Sequence, residues 1–409
     1  MSELKCDVNK EHNQKLNYLD GMRGLMAINV ILCHFVCVYF PQMYFEEAAN
    51  QSSGFLSLFA TSPLSATVNG HIAVMYFMTL TGFLVGMSTF RKRYCGVGVF
   101  FQKAIARYIR LLPVILVSTL ITYALMVLGL QKHLSITDGL VNTSFLQGFC
   151  NFDPNIKSLL MNIFIKPFLG GGSDYIGPFW TIKCEFLGYL LTLFIAMHLK
   201  DNKHRRLLYV MISILIMLLS AVGLPLVDMH YVAFIMGLFV ADLKFNKSQT
   251  IFSKYYCDFL NTRGCLIACY TLGIYFSCCT MFKTPLYSWW FSIPGVNKSL
   301  LRGLGMAMLI FAFTKTSVVQ KMLSWKPWIM LGKYSFEIYA IHWPLMLSLE
   351  AFLFIGLRPF LSYNASALLS FLITLPAILL VSIGMHRLID TCGRIKEEIF
   401  KIVYKRKHT

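Results

Sequence analysis

Runs of mostly apolar residues recur along the whole chain, most of them long enough to cross a lipid bilayer as helices. A hydrocarbon core of ~30 Å takes about 20 apolar helical residues. Such runs fall near 24–40, 71–90, 111–130, 175–198, 207–226, 229–243, 264–282, 299–316, 334–355 and 365–386. The sixth is short and contains His230. The expected fold class is all-α, a polytopic membrane helix bundle of about ten transmembrane helices.

Composition supports the same class. Of 409 residues, 56% are apolar and 14% charged, and the mean hydropathy is +0.61. A soluble domain carries about 25% charge, so this chain folded in water would expose far too much apolar surface. The net charge of +18 raises nucleic acid as a partner, but the placement of the cations points instead to membrane lipids and no nucleic acid. With the N-terminus inside, segments 1–23, 91–110, 199–206, 242–263, 315–333 and 387–409 hold 29 lysines and arginines. The alternate loops, 41–70, 131–174, 223–228, 283–298 and 356–364, hold 6. Cations collect in cytoplasmic loops, and adding or removing one span breaks the alternation. Both termini are therefore expected in the cytoplasm.

The expected organisation is a cytoplasmic segment at 1–23, a transmembrane domain at 24–390 and a basic cytoplasmic tail at 391–409. The polar start, MSELKCDVNKEHNQKLNYLD, argues against a cleavable signal peptide. Of the twelve cysteines, most sit inside apolar runs, where a thiol behaves as a small hydrophobe. They suggest neither a disulfide framework nor zinc-ligand spacing, and no metal is expected. The chain has no internal repeat. The longest outside loop, 131–174, is rich in Gly, Pro and Asp near its end and reads as a structured lid.

Ionisable groups inside spans cost ~3 kcal/mol each on insertion scales, so they mark function more often than loop charges do. His34 lies in the first span, His71 opens the second, Lys183 and Glu185 lie in the fourth, and Glu337 and His342 lie in the ninth. Arg107 and Arg110, three residues apart, share a helix face just before the third. Each has a plainer structural reading. His34 can be a neutral, hydrogen-bonded core histidine; Lys183 and Glu185 can neutralise each other or a nearby histidine; the arginines can be ordinary loop cations. Glu337, near Lys333, can snorkel to headgroups, and Trp180 and Trp343 can be belt residues. Together they suggest more. Histidine serves as a general base, a glutamate can orient it, and guanidinium grips phosphate in a bidentate fork. Chemistry on an anionic cytoplasmic donor fits these residues, and so does a proton-coupled transporter or flippase of a small metabolite.

The motifs that carry these residues have a family likeness. LDGMRGLMAINVILCHF, with Arg23 and His34 separated by ten residues, resembles the opening of the acyltransferase-3 family of integral membrane acyltransferases. NGHIAVMYFMTLTGFLVG resembles that family's second span, with Thr81 where serine is usual. FFQKAIARYIRLLP carries its paired arginines, Arg107 and Arg110, before Pro113. GPFWTIKCEFLGYLL resembles the span that supplies its acid, here Glu185, and LGKYSFEIYAIHWPL the span with Ser335, Tyr339, His342 and Pro344. MHRLIDTCGR supplies Arg387 and Asp390 but lacks the proline that often closes the family pattern, so this end is given no catalytic role.

The resemblance implies an O-acetyltransferase-like enzyme. Its donor would be acetyl-CoA or another acyl-CoA, and its acceptor a hydroxyl of a carbohydrate or another cell-surface or lipid-linked molecule. It implies donor binding by Arg23, Arg107 and Arg110, and catalysis by His34, Glu185 and His342. His34 would act as base or acyl carrier, and Glu185 would orient or charge a histidine. The implied cavity is lined by Tyr339, Ser335, Trp180 and His71. Arg23 and His34, eleven residues apart, would stand ~16 Å apart on one helix, near the reach of a phosphopantetheine arm. Some relatives carry a further soluble domain; none is expected here, so the acceptor or a partner must reach the bundle itself. The second-span motif looks most like bacterial members, which suggests a bacterial plasma membrane, with a eukaryotic internal membrane as the alternative.

Overall fold

Among the described residues of the computed structural model, a helix stands at each of the ten apolar runs, and no strand is present. The description covers residues 16–45, 55–91, 96–224, 226–245, 260, 262–279, 285–293 and 296–406. Residues 1–15 of the N-terminal segment, and the loop cations Lys92, Arg93, Lys247, Lys254 and Lys283, lie outside it. The helices are α1 (Asn17–Tyr39), α2 (Gly70–Phe90), α3 (Val97–Val127), α4 (Trp180–Leu199) and α5 (Arg205–Ala221). They continue as α6 (Tyr231–Phe245), α7 (Arg263–Ser277), α8 (Lys298–Phe313), α9 (Ser335–Leu345) and α10 (Tyr363–Arg406). A π-helical turn at Met346–Glu350 extends α9 into a further helix ending at Leu357.

Six of these are long and apolar enough to cross a membrane, and the chain is an integral membrane protein. A seventh crossing exists if α8 and Ser317–Leu323, bent by 104° at their junction, form one broken span. The expected count of about ten is not confirmed among the described residues. The shortfall comes from α5, α6, α7 and α8, which have 17, 15, 15 and 16 residues. A 15-residue helix spans about 23 Å at 1.5 Å per residue, short of a ~30 Å core.

Three boundaries also differ from expectation. Helix α1 starts at Asn17, so Asp20 and Arg23 are helical. Helix α3 starts at Val97, which places Arg107 and Arg110 inside a 31-residue helix rather than in the loop before it. Helix α10 continues past 386 to Arg406, so His386, Arg387 and Asp390 ride on a helix.

Buried apolar side chains form two large clusters. One joins α1, α3, α4, α9, α10 and the lid; the other joins α1, α2, α4, α5, α6 and α8. Helices α1 and α4 contribute to both and form the seam. Within the second cluster, α2 and α6 meet backbone to backbone. A Cβ on Gly82 would fall 1.9 Å from Phe234 O, and one on Gly237 would fall 1.9 Å from Thr79 O. Only glycine permits this approach, the usual role of small residues between membrane helices. At one end of the same pair, buried Asp242 of α6 accepts from Arg205 Nε at 2.5 Å and Arg206 Nε at 2.6 Å.

The expected lid is structured. It carries helices Thr143–Gln147 and Ile156–Phe164 and is tied to the bundle at several points. Asn142 N donates to Val38 O at 2.9 Å, Lys132 N to Leu347 O at 3.1 Å, and Arg358 Nε to Asp138 Oδ2 at 2.6 Å. Phe149 packs edge-on against Trp343, their ring centres 4.7 Å apart.

Candidate active site

A cavity of about 920 Å³ lies along the seam, within the ~300–1,000 Å³ range of small-molecule sites. It is walled by α1, α2, α3, α4, α9 and α10 and by the helix Lys326–Lys333. Most of its residues on α1, α3 and α9 come from the first halves of those helices, and those on α10 from its second half, the ends expected to face the cytoplasm. Arg23, Arg107, Arg110, Glu185, Ser335 and Tyr339 all line it, six of the ten residues expected at the site.

Glu185 is the node of one wall. Its Oε1 accepts from Arg107 and, at 2.8 Å, from Thr81 Oγ1. The Arg107 guanidinium also lies 4.9 Å from the centre of the Tyr189 ring. Glu185 was expected to orient or charge a histidine; among the described residues its hydrogen-bond partners are Arg107 and Thr81. The hydroxyl shared by serine and Thr81 is the donor that completes this arrangement.

Arg107 Nε and Arg23 Nε are buried with no hydrogen-bond partner among the described residues. Arg23 keeps a loose contact with Asp20, Nη1 to Oδ1, at 3.4 Å. Unmatched buried donors are costly, and here they border a cavity large enough for an anion. Arg110 and the unanticipated Lys326 and Lys333 add cations to the lining. The lining also holds Asp20, Glu337 and Asp390 beside Glu185, so cations and carboxylates share the surface.

His34 and His342 do not line the cavity; they sit one helical turn beyond it. Val30 and Tyr339 are in the wall, and each histidine lies four or three residues further along its helix. His342 Nε2 lies 3.1 Å from His34 Nδ1. His342 Nδ1 also lies 3.2 Å from Ile338 O, and His34 Nδ1 lies 3.0 Å from Val30 O. Carbonyls only accept, so each neutral ring carries its proton on Nδ1. His342 Nε2 then accepts from His34 Nδ1–H, and His34 Nε2 keeps its lone pair. That tautomer, assigned from the bonds, is the one a general base needs.

Tyr339 connects the two levels. Its hydroxyl donates to Pro178 O and shares a 2.7 Å bond with Thr181 Oγ1, while its ring lies 6.1 Å from that of His342. Ser335 lines the cavity one turn below. Trp180 and His71 lie outside the lining. Their rings face each other at 6.2 Å, and His71 Nδ1 contacts Tyr44 OH at 3.0 Å. Both stand at the starts of α4 and α2, at the other end of the bundle from the arginines.

The sequence reading missed His386. Its Nδ1 lies 2.7 Å from Glu337 Oε1 and its Nε2 3.3 Å from Asp390 Oδ2, and all three line the cavity. Glu337 is 6% exposed and does not snorkel. The spacing of His386 and Asp390, four residues apart, was the available signal; it puts both on one face once the last helix extends past 386.

A family model described as an acyltransferase domain matches residues 16–387, nearly the whole chain. No curated protein and no solved structure matches it. The matched region contains every residue of the cavity wall named above except Asp390, together with the histidine pair. The chain belongs to the acyltransferase-3 family and is a membrane acyltransferase.

Proposed function

We propose that the cavity binds an acyl-CoA from the cytoplasmic side and that the acyl group, acetyl in the simplest case, passes to a hydroxyl. The acceptor would be a carbohydrate or a lipid-linked molecule, and the setting a bacterial plasma membrane. One observation carries this reading: a cavity bordered by Arg23, Arg107 and Arg110 at one level ends beneath Tyr339, and the His34–His342 pair stands one turn further on. Phosphates held by guanidinium groups leave the pantetheine arm to run toward the histidines, with Arg23 and His34 ~16 Å apart along α1.

In this mechanism His34 Nε2 takes the proton of the acceptor hydroxyl as its oxygen attacks the thioester carbonyl. The C–S bond breaks, and the thiolate of the donor leaves with that proton. His342 positions His34 by accepting, together with Val30 O, from its Nδ1–H. Glu185 and Thr81 position Arg107, and the apolar bundle keeps water from the thioester.

The test is titration of acetyl-CoA into the purified protein, following binding and free thiol together. Wild type is expected to bind and slowly release CoA. Arg110→Ala should lose binding, and His34→Ala should bind without release. A wild type that neither binds nor cleaves acetyl-CoA or longer acyl-CoAs overturns the donor assignment.

A further inference from the structure

Away from the cavity, three side chains of different chemistry converge where α4 begins and α6 approaches. Cys184 lies on the first turns of α4, and Asp228 and His230 lie in the segment that leads into α6. Cys184 Sγ is 3.4 Å from Asp228 Oδ2, and His230 Nδ1 is 2.5 Å from Asp228 Oδ1. One ligand atom from each residue lies within 4.8 Å of the others.

We propose that Cys184, Asp228 and His230 bind a divalent transition metal, with zinc the best match. The donor set is one thiolate, one imidazole and one carboxylate. It suits borderline-soft ions and not magnesium or calcium, which take oxygen donors. The spacing fits as well. Zinc–sulfur and zinc–oxygen bonds of ~2.3 and ~2.0 Å at a tetrahedral angle put the two ligand atoms ~3.5 Å apart. A thiolate and a carboxylate also cancel the charge of a divalent ion, which matters in a bundle of low dielectric.

The surroundings supply the orientation that metal ligands need. Asp228 Oδ1 accepts from the His230 backbone N–H at 2.9 Å, which turns Oδ2 toward Cys184. His230 Nε2 faces Ser299 Oγ at 3.4 Å, so a ring bound through Nδ1 carries its proton on Nε2 toward that hydroxyl. The Trp180 ring covers one side of the imidazole at 5.5 Å. The Asp228 side chain is 39% exposed and gives the ion a way in. Three protein donors leave a fourth position for water. On binding, the Cys184 thiol loses its proton to solvent, and the His230 proton moves from Nδ1 to Nε2. One proton is released per metal.

The site pins the start of α4, which carries Thr181 and Glu185 into the cavity wall, to the segment before α6. It does not depend on the proposed donor or acceptor. The test uses full-length protein in detergent, stripped with a chelator and titrated with zinc or cobalt(II) alone. Wild type is expected to bind one ion per chain. Cobalt should give a sulfur-to-metal charge-transfer band in the near ultraviolet, and zinc should raise the Tm. Cys184→Ser should lose the band, and His230→Gln and Asp228→Asn should each weaken affinity at least ~10-fold. The Tm of each variant in chelator reports whether it folds, and chelation of wild type tests the site without any substitution. Wild type that binds no more metal than the Cys184→Ser/His230→Gln variant, or a band that survives Cys184→Ser, overturns the proposal.

Discussion

His34 and His342, 308 residues apart in sequence, meet at 3.1 Å between Nδ1 and Nε2. Among the described residues neither ring has an acidic partner, and the Nδ1 of each faces the carbonyl one turn earlier in its own helix. Val30 O and His342 Nε2 together hold the proton on His34 Nδ1 and leave its Nε2 free.

Replacing His342 by alanine removes one of the two acceptors of the His34 Nδ1–H, leaving Val30 O as the other, and takes away the ring that packs beside it. Loss of a positioned base costs 10²–10⁴-fold in rate, and a positioning residue should cost less, on the order of 10²-fold. Acyl-CoA affinity should stay the same, because His342 lies beyond the cavity wall. Steady-state kinetics give the split. A fall in affinity without a fall in kcat would place His342 in donor binding.

Thr81 is expected to separate hydroxyl from shape. Thr81→Val keeps the volume but removes the donor to Glu185, a bond to a charged group that contributes about 1.5–3 kcal/mol. With Arg107 left as the main partner of Glu185, its guanidinium should turn from the cavity, weakening acyl-CoA binding about 10-fold or more. Thr81→Ser should bind as wild type does. Calorimetric titration of the three proteins checks the order, and equal affinities would remove Thr81 from the site.

Asp242 holds Arg205 and Arg206 from a position with no exposure. Removing one partner of a buried ion pair costs about 3–5 kcal/mol, here by taking away the carboxylate that the two guanidinium groups share. Asp242→Asn is therefore expected to lower the Tm markedly while leaving acyl-CoA affinity in the surviving folded fraction unchanged. Thermal unfolding with and without ligand measures both.

These residues mark how far a sequence can be read. The apolar runs located the helices, since lipid leaves little other structure open to a 20-residue apolar segment. The runs did not reveal helix length, because α3 and α10 continue through polar residues that gain partners only in three dimensions. Arg107 looked like a loop cation until α3 proved long enough to bring it to Glu185. His386 was invisible for the same reason, and Glu337 looked like a snorkelling residue without it. His34, Glu185 and His342 were legible as ionisable groups in expensive places. Their partners were not, because pairing depends on which faces of α1, α4 and α9 meet. Trp180 and His71 were expected in the cavity lining, and the helices put them outside it.

The lid should respond to acid through two carboxylates. Burial raises the pKa of Asp138, but the Leu140 N–H at 3.0 Å and the Arg358 guanidinium outweigh it, and the net shift is below the ordinary value. For Asp174, burial is likewise outweighed by Lys166 and Asn162, again with a net lowering. A carboxylate whose pKa is depressed on folding stabilises the folded state above its unfolded pKa of ~3.9. That contribution is lost as pH falls through the lower folded value. The lid contacts should therefore hold at neutral pH and weaken progressively below about pH 4. Hydrogen exchange of lid amides, corrected for intrinsic rates, should show protection at Leu140 and Asp174 falling in that range. Asp138→Asn should remove the acid sensitivity around Leu140 while leaving that around Asp174. Lid protection that stays constant down to pH 3, or acid sensitivity that persists at Leu140 in Asp138→Asn, would show that the lid is held by its apolar contacts with Trp343 and not by these ion pairs.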